Sequence, residues 1–396
     1  MRLLVALMLC VVGVSASTSQ INLRATPLPN DAYLWQRVWT PTVMAAAQRS
    51  SDLVRSWRIL VAEADRSGRW TRVSVPWAEL RATARPIVAV LRMDGRLNEE
   101  RMSALLDQVA AMVDGIEGPL AGVEIDYDCP TSRLATYARF LAGLRTRLPA
   151  SIRLSITALP TWMNSVDLER LVPPLDEMVL QVHAVDEPRR GLFNPARAES
   201  RVRDFARRID LPFRVALPAY DVRVTWHRDG ALASVEGEVP LLTGAASGET
   251  LRAAPEAVVA FLHAMRRAAP DNLVGVAWFR LPTDADRRAW SPGTWRAVLT
   301  DRLSPSRLSA SLVPAEAADL WTVTLSNDGA VDAVLPRQVR LDHACTMADG
   351  ANGFHLVRGE PLALTGSGNG RLRPHDTRII GWARCTAPRR HLDVAP

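Results

Sequence analysis

The chain has 396 residues, 48% of them hydrophobic, which is enough for a large core and more than one compact domain usually holds unless that domain is a barrel. Its formal charge of +6 is spread along the chain without a basic block, which argues against a nucleic-acid partner.

The first residues have the pattern of a signal peptide. Met1-Arg2 precedes the apolar segment Leu3–Val14, and the small residues Ser15 and Ala16 follow it. The apolar segment is too short to span a bilayer permanently, and no later segment reaches that length. We therefore expect residues 1–16 to be removed and the mature protein, without an integral membrane segment, to be exported to the periplasm or secreted.

Eight apolar segments follow in order, and helical patterns separate most of them. They are Ala32–Trp39, Trp57–Ala64, Ile87–Met93, Gly122–Asp128, Arg153–Leu159, Met178–Val185, Phe213–Ala219 and Leu273–Arg280. Eight strands that alternate with helices predict an α/β protein with a (β/α)8 TIM barrel over residues 17–303.

Two further regions depart from this alternation. Residues 221–254 follow the seventh strand, and alternation up to the turn Asp229-Gly230 predicts a hairpin insertion above the carboxyl-terminal face of the barrel. Short strand patterns separated by turns predict a small β-sandwich-like domain over residues 304–396. Cys345 and Cys385 both lie in this domain and could form a disulfide in an oxidising compartment.

The fourth strand carries three carboxylates at every second position. Because side chains alternate along a strand, Glu124, Asp126 and Asp128 share one face. Alternate positions lie about 6.6–6.8 Å apart, and two unit charges at that distance repel by about 2.5 kcal/mol at an effective dielectric constant near 20. Such a cost is typical of sites where chemistry needs an acid and a base side by side. A salt-bridged structural strand is the alternative.

Polar and aromatic side chains recur at the strand ends, where TIM barrels place their active sites. Acids together with aromatic faces are typical of sugar binding, because rings stack on pyranose faces and carboxylates bind hydroxyls. The candidate substrate-binding residues are Gln36, Arg37, Trp39, Glu63, Arg92, Asp94, Trp162, Gln181, His183, Tyr220, Trp278 and Arg280. The alternatives are packing for Trp39 and Trp162, a hydrogen-bonded core position for His183, and neutralisation of the acids for Arg92 and Arg280.

Metal and nucleotide motifs are missing from the sequence. Cys129, His183 and His227 lack the spacing of metal ligands, and no glycine-rich phosphate loop follows any strand. We therefore expect no metal and no cofactor. Calcium or magnesium held by the carboxylates is the alternative.

The segment Ala121–Asp128 resembles the Asp-Gly-x-Asp-x-Asp-x-Glu signature of chitinase-like (family-eighteen type) glycoside hydrolases. In that family the final Glu donates the proton and the preceding Asp positions the N-acetyl group of the substrate. The resemblance implies that Asp128 is the donor, Asp126 the positioning acid and Glu124 an inner acid, and Trp278 on the eighth strand matches the same pattern. Asp128 is one methylene shorter than the family's Glu.

A second resemblance spans nearly the whole chain. The segments Trp35–Pro41, Glu124–Pro130, Leu154–Trp162 and Val179–Val185 resemble an uncharacterised bacterial domain-of-unknown-function family, number three-one-four-two. This resemblance implies a family without an activity, and it implies that Asp128 is ordinary for that family.

The sequence thus predicts an exported, glycoside hydrolase-like barrel that acts on a polysaccharide, with Asp128 as general acid assisted by Asp126. A non-catalytic, lectin-like barrel and a cell-envelope scaffold are the alternatives, and the oligomeric state is open.

Overall fold

The computed structural model describes residues 27–95, 97–183, 191–227 and 248–395, together with the backbone of residues 232–236. The predicted signal peptide and the predicted turn Asp229-Gly230 lie outside the described residues. Among the residues described, no helix combines the length and apolar character that a membrane span requires.

The chain forms seven α-helices and 22 strands within the described residues. The helices are α1 Pro41–Ser50, α2 Trp77–Arg81, α3 Met102–Asp114, α4 Leu134–Arg145, α5 Pro195–Arg208, α6 Pro255–Ala268 and α7 Pro292–Leu299. The strands up to the eighth barrel strand are β1 Asn30–Leu34, β2 Ser56–Ala64, β3 Trp70–Arg72, β4 Ile87–Met93, β5 Gly122–Tyr127, β6 Arg153–Ala158, β7 Glu177–Gln181, β8 Phe213–Pro218, β9 Val222–Trp226, β10 Leu232–Glu236, β11 Gly248–Leu251 and β12 Leu273–Phe279. The later strands are β13 Leu308–Pro314, β14 Leu320–Asn327, β15 Ala333–Val334, β16 Gln338–Arg340, β17 Cys345–Gly350, β18 Phe354–Val357, β19 Ala363–Gly366, β20 Arg371–Leu372, β21 Thr377–Cys385 and β22 His391–Ala395.

The predicted TIM barrel is confirmed. Eight parallel strands pair in the order β1, β12, β8, β7, β6, β5, β4, β2, and pairing of β1 with β2 closes the ring. The short strand β3 adds to β2 in antiparallel orientation. Strand β1 ends at Leu34, five residues before the predicted end, so Trp39 lies beyond the barrel wall.

Three helices begin with the same local signal. Thr40, Asn194 and Ser291 each accept a hydrogen bond from a backbone amide in the first turn, and a proline follows each of them. The side-chain oxygen satisfies an otherwise unpaired amide, and the fixed backbone angle of proline suits the first helical position. These signals start the helices that follow β1, β7 and β12 in the chain.

Alternation along the barrel strands separates an apolar outer face from a polar lumen. On β5, Val123, Ile125 and Tyr127 join the large core between barrel and helices, whereas Glu124 and Asp126 are also buried but point to the opposite face. The lumen therefore holds charged side chains where many barrels hold branched apolar ones.

The lower lumen contains a buried ion network. Arg58 pairs with Asp31, Glu124 and Glu177, and Arg214 pairs with Asp31 and Glu177 at 3.0 Å each. All five side chains are at most 7% exposed. Because these residues come from β1, β2, β5, β7 and β8, the network links more than half of the barrel strands.

The predicted hairpin after the seventh barrel strand is confirmed, since β9 pairs in antiparallel fashion with β10 and also with β11. After the barrel, an eight-stranded antiparallel sheet surrounds a second apolar core, as the predicted β-sandwich-like region requires. Its end strands β17 and β18 contact each other. Cys345 and Cys385 are joined by a disulfide across β17 and β21.

Buried polar contacts join the carboxyl-terminal sheet to the barrel. Arg371 on β20 makes a two-pronged salt bridge with Asp221, at 2.7 and 3.0 Å, and both side chains are almost wholly buried. Asp332 accepts a hydrogen bond from the amide of Ser291 at 2.7 Å, at the start of α7. The second domain is therefore packed against the barrel wall beside the end of β8.

Candidate functional site

A cleft of about 680 Å³ opens at the carboxyl ends of the barrel strands. This position and volume are typical of active sites in TIM barrels. The predicted site residues that line it are Arg37, Glu63, Arg92, Asp94, Asp126, Asp128, Gln181, His183 and Tyr220, joined by Trp35, Asp65 and Phe279 among others.

Arg92 binds three carboxylates on the cleft floor. Its Nη1 donates to Asp126 Oδ2 at 2.8 Å, and its Nη2 donates to Asp128 Oδ2 at 2.5 Å and to Asp94 Oδ1 at 3.1 Å. Burial alone would lower the pKa of Arg92, but the charges of Asp126 and Asp128 outweigh it and raise that pKa. Arg92 therefore stays charged and neutralises part of the cluster, as the alternative interpretation proposed.

The two acids at the end of β5 differ in environment. Asp126 is 5% exposed, whereas the side chain of Asp128 is 50% exposed. Burial raises the pKa of Asp126, and the neighbouring Arg92 opposes that rise. Among the described residues, no donor meets hydrogen-bond geometry at Asp126 Oδ1, although the hydroxyl of Thr157 is close enough to oppose the rise in the pKa of Asp126. The pair thus combines a buried carboxyl that favours a proton with an open carboxyl at the cleft surface.

Glu124 lies below the cleft and does not line it. It is fully buried, accepts a hydrogen bond from the Tyr33 hydroxyl at 2.6 Å and pairs with Arg58. Burial raises the pKa of Glu124, and Arg58 opposes the rise. These contacts place Glu124 in the ion network of the lumen, below the cleft, and its expected role as an inner acid stays a prediction.

His183 is neutral and faces the cleft beside aromatic rings. Its Nδ1 lies 3.1 Å from the carbonyl oxygen of Ala216, and since a carbonyl only accepts, Nδ1 carries the proton and Nε2 keeps a lone pair. Burial lowers the pKa of His183 to about 4. The ring stacks on Phe279 with centroids 6.2 Å apart. His183 is thus both the hydrogen-bonded histidine of the alternative interpretation and a cleft residue.

Two aromatic residues that line the cleft were not among the predicted site residues. Trp35 and Phe279 meet edge to face with ring centroids 5.1 Å apart, and Tyr220 lies 5.7 Å from Phe279. The signal for Trp35 was the alternation Tyr33, Trp35, Arg37, which continues the lumen face of β1 past its last ladder bond.

Three predicted tryptophans lie outside the cleft lining. Trp278 is fully buried on the outer face of β12, where its Nε1 donates to Asn30 Oδ1 at 2.9 Å. Trp162 is fully buried too and donates to the carbonyl of Cys129 at 2.8 Å. Trp39 packs, partly buried, against the outer core. All three therefore pack in the core; the alternative for Trp39 and Trp162 was packing under the predicted hairpin.

The remaining predicted residues lie at the rim or beyond it. Arg37 forms a two-pronged pair with Glu63, at 2.6 and 2.8 Å, at the cleft rim. Arg280 pairs with the loop acid Asp286 at 2.8 Å. Gln36 is partly exposed and does not line the cleft. Among the residues described, no three His, Cys, Asp or Glu side chains are arranged to hold a metal ion.

Two family models match the chain. One, described as Domain of unknown function (DUF3142), matches residues 83–284, about half of the chain, and the resemblance at Trp35–Pro41 lies outside that match. The other, described as Domain of unknown function (DUF8456), matches residues 310–386 in the carboxyl-terminal sheet. No curated protein sequence matches significantly.

Solved structures share the fold at low identity. The spore cortex-lytic enzyme SleL of Bacillus cereus is 12% identical over 70% of this chain and 75% of its own, with a TM-score of 0.51. SleL of Bacillus megaterium QM B1551 is 13% identical over 70% of this chain and 74% of its own, with a TM-score of 0.50. A chitinase from Chromobacterium violaceum is 13% identical over 70% of this chain and 99% of its own, with a TM-score of 0.49. At such identity the two SleL structures show a common fold.

Proposed function

The chain belongs to the DUF3142 family, and we propose that its barrel is a glycoside hydrolase that cleaves a polysaccharide bound in the cleft. The observation that carries this proposal is the pair Asp126 and Asp128, one buried and one open, both bound by Arg92 on the floor of an aromatic-lined cleft. Glycosidic cleavage needs a carboxylic acid that can protonate the leaving oxygen.

The charge balance of this cluster supports a shared proton. One guanidinium cannot neutralise Asp94, Asp126 and Asp128 together, so the cluster favours uptake of a proton. Burial favours the protonated form at Asp126 in the free protein. When a sugar covers Asp128 and excludes water, the proton moves to Asp128, which faces the substrate.

In the proposed reaction, Asp128 donates this proton to the glycosidic oxygen while the bond from that oxygen to the anomeric carbon breaks. Water then adds to the anomeric carbon and returns a proton to the acid cluster, which restores the starting state. An acetamido sugar would supply its own nucleophile for the first step, the route that the chitinase-like resemblance implies. Trp35 and Tyr220 offer ring faces for the sugar.

We place this activity outside the cytoplasm. The pattern of residues 1–16 is that of a signal peptide, and the disulfide between Cys345 and Cys385 suits an oxidising compartment. Secretion of the expressed full-length chain, with loss of its first residues, would test this placement by mass spectrometry.

The test of the activity compares the chain from residue 17 with its Asp128→Asn variant. Reducing-sugar release from acetamido, neutral and uronic polymers is measured beside glycan binding by calorimetry. We expect turnover to fall about 10²-fold or more while binding persists, because general acid catalysis contributes about 10²–10⁴-fold. The control is Asp271→Asn, an exposed acid just before β12 at the opposite end of the barrel. Equal turnover by Asp128→Asn and the parent chain would refute the assignment.

A second candidate is a lectin-like barrel without turnover. The short contact from Arg92 to Asp128, at 2.5 Å, favours it because this salt bridge already occupies Oδ2 of the proposed proton donor. Binding by both proteins without sugar release would establish this function. If neither glycan binding nor sugar release is observed, the cell-envelope scaffold is the remaining alternative.

A further inference from the structure

We propose that the cleft selects glycans that carry protonated amino sugars, that is, polymers with free ammonium groups, over fully acetylated or uronic polymers. This inference rests on the proposed function, since it names the substrate class of the same cleft.

The first support is the sign of the cleft's charge. Among the described residues that line it, five acidic and two basic side chains give a formal charge of −3 with His183 neutral, or −2 when the acid cluster carries its shared proton, although the whole chain carries +6. A concave site with low-dielectric walls concentrates ligands of the opposite charge. A carboxylated sugar would meet repulsion in this cleft, whereas an ammonium group would meet attraction.

The second support is that both cleft arginines already have carboxylate partners. Glu63 occupies the guanidinium of Arg37 with two hydrogen bonds, and three acids share Arg92. An anionic substituent would have to displace these partners before it could bind either arginine. An ammonium group needs no such displacement, because the side chains of Asp94 and Asp128 are each 50% exposed.

The third support is a buried acceptor without a donor. Asp126 is 5% exposed, and no donor among the described residues meets hydrogen-bond geometry at its Oδ1. Asp126 lines both the cleft and a narrow space beneath it, beside Trp35 and Phe279. Once the shared proton has moved to Asp128, as proposed above for the bound state, Asp126 Oδ1 is an acceptor that a ligand donating hydrogen bonds at this depth would satisfy, and an ammonium group offers three donors.

The aromatic wall suits the same ligand. The rings of Trp35, Tyr220 and Phe279 line the same cleft as the acids. Aromatic faces accept the C–H surface of a pyranose, and they attract a nearby cation. Acids and aromatic rings in one cleft thus match a sugar ring with an attached ammonium group.

The experiment measures binding of three oligosaccharides of equal length by calorimetry: glucosamine, N-acetylglucosamine and galacturonic acid oligomers. We expect the glucosamine oligomer to bind at least about tenfold more tightly than the acetylated one, with a preference that shrinks as salt rises. Asp94→Asn should reduce the ratio of these two affinities, and the control Asp271→Asn should preserve it. Reducing-sugar release is recorded for each oligomer in parallel.

The outcomes separate this inference from the proposed function. If an oligomer is cleaved but the acetylated or uronic oligomer binds as tightly as the glucosamine oligomer, or more tightly, the inference is overturned and the glycosidase proposal is retained. Preferential binding of the glucosamine oligomer without cleavage of any oligomer would support the inference and refute the hydrolase. No binding of the three oligomers would overturn the inference, and the reducing-sugar assay with neutral polymers would then decide the proposed function.

Discussion

Replacing Arg58 with methionine tests whether the ion network of the lumen holds together the strands that carry the cleft. Arg58 is 2% exposed and pairs with Asp31, Glu124 and Glu177. Methionine keeps much of the side-chain volume and removes the charge. The variant therefore reports on the electrostatic contribution with little change in packing.

The structure indicates how much unfolding free energy the Arg58→Met variant should lose. Asp31 and Glu177 keep Arg214 as a partner, but Glu124 keeps only neutral hydroxyl donors such as that of Tyr33. In the variant, Glu124 binds a proton, because its carboxylate would otherwise be a buried charge without a cation. For a carboxyl with an ordinary pKa near 4.3, that proton costs about 3.7 kcal/mol at pH 7 and about 1 kcal/mol at pH 5. Breaking a buried ion pair typically costs about 3–5 kcal/mol, which agrees.

The sign of the pH dependence follows from linkage. In the variant, the pKa of Glu124 in the folded state lies above its unfolded value, because the group is buried without a cation. The destabilisation is therefore fully present above the folded pKa, and it disappears as pH falls below the unfolded value near 4.3. We expect the deficit in unfolding free energy to shrink from pH 7 to pH 5.

Urea unfolding followed by tryptophan fluorescence at both pH values measures this deficit. The double variant with Arg58→Met and Glu124→Gln should lose most of the pH dependence, since no stranded carboxyl remains. Arg139→Met is the surface control, because Arg139 and its partner Glu99 are both more than half exposed and such pairs contribute less than about 1 kcal/mol. A deficit that is equal at pH 7 and pH 5, or below about 1 kcal/mol at pH 7, would refute the reasoning.

The domain contact, the cleft aromatics and the buried histidine support three further predictions. Arg371→Leu leaves Asp221 buried without its cation, so we expect a loss of about 3–5 kcal/mol in unfolding free energy; an unchanged calorimetric transition would contradict this. Trp35→Ala should weaken glycan affinity about tenfold in calorimetric titrations, and unchanged affinity would remove Trp35 from the binding surface. The pKa of His183 is about 4 in the folded state and about 6.5 in the unfolded state, so its contribution to stability is present above pH 6.5 and lost towards pH 4. An NMR titration that shows the imidazolium form of His183 at pH 6 would contradict this.

Local patterns of the sequence predicted the barrel well because its strands are buried, so each stands out as a short apolar segment between helical patterns. The capping residues before Pro41, Pro195 and Pro292 are further local signals for a helix start, but Ser304-Pro305 has the same pattern and no helix follows it. The period of two on β5 likewise placed Asp126 and Asp128 on one face.

The same period could not tell which face of β12 lines the lumen. Trp278 and Phe279 are adjacent, and the chitinase-like resemblance favoured Trp278. In the structure Trp278 packs outward against Trp290 and Trp295, while Phe279 faces the cleft. The small residue Ala277, two positions before Phe279, fits the crowded lumen and marks that face in retrospect.

By itself, then, the sequence determined the fold class, the order of the strands, the face that carries Asp126 and Asp128 and the cysteine pair of the second domain. Only the tertiary structure decided how deeply each acid is buried and which arginine it pairs with. Glu124 lies below the cleft and pairs with Arg58, whereas Asp126 and Asp128 both pair with Arg92. The reason is physical. Burial and charge pairing depend on barrel closure, which brings side chains as far apart in sequence as Tyr33 and Glu124 within 2.6 Å of each other.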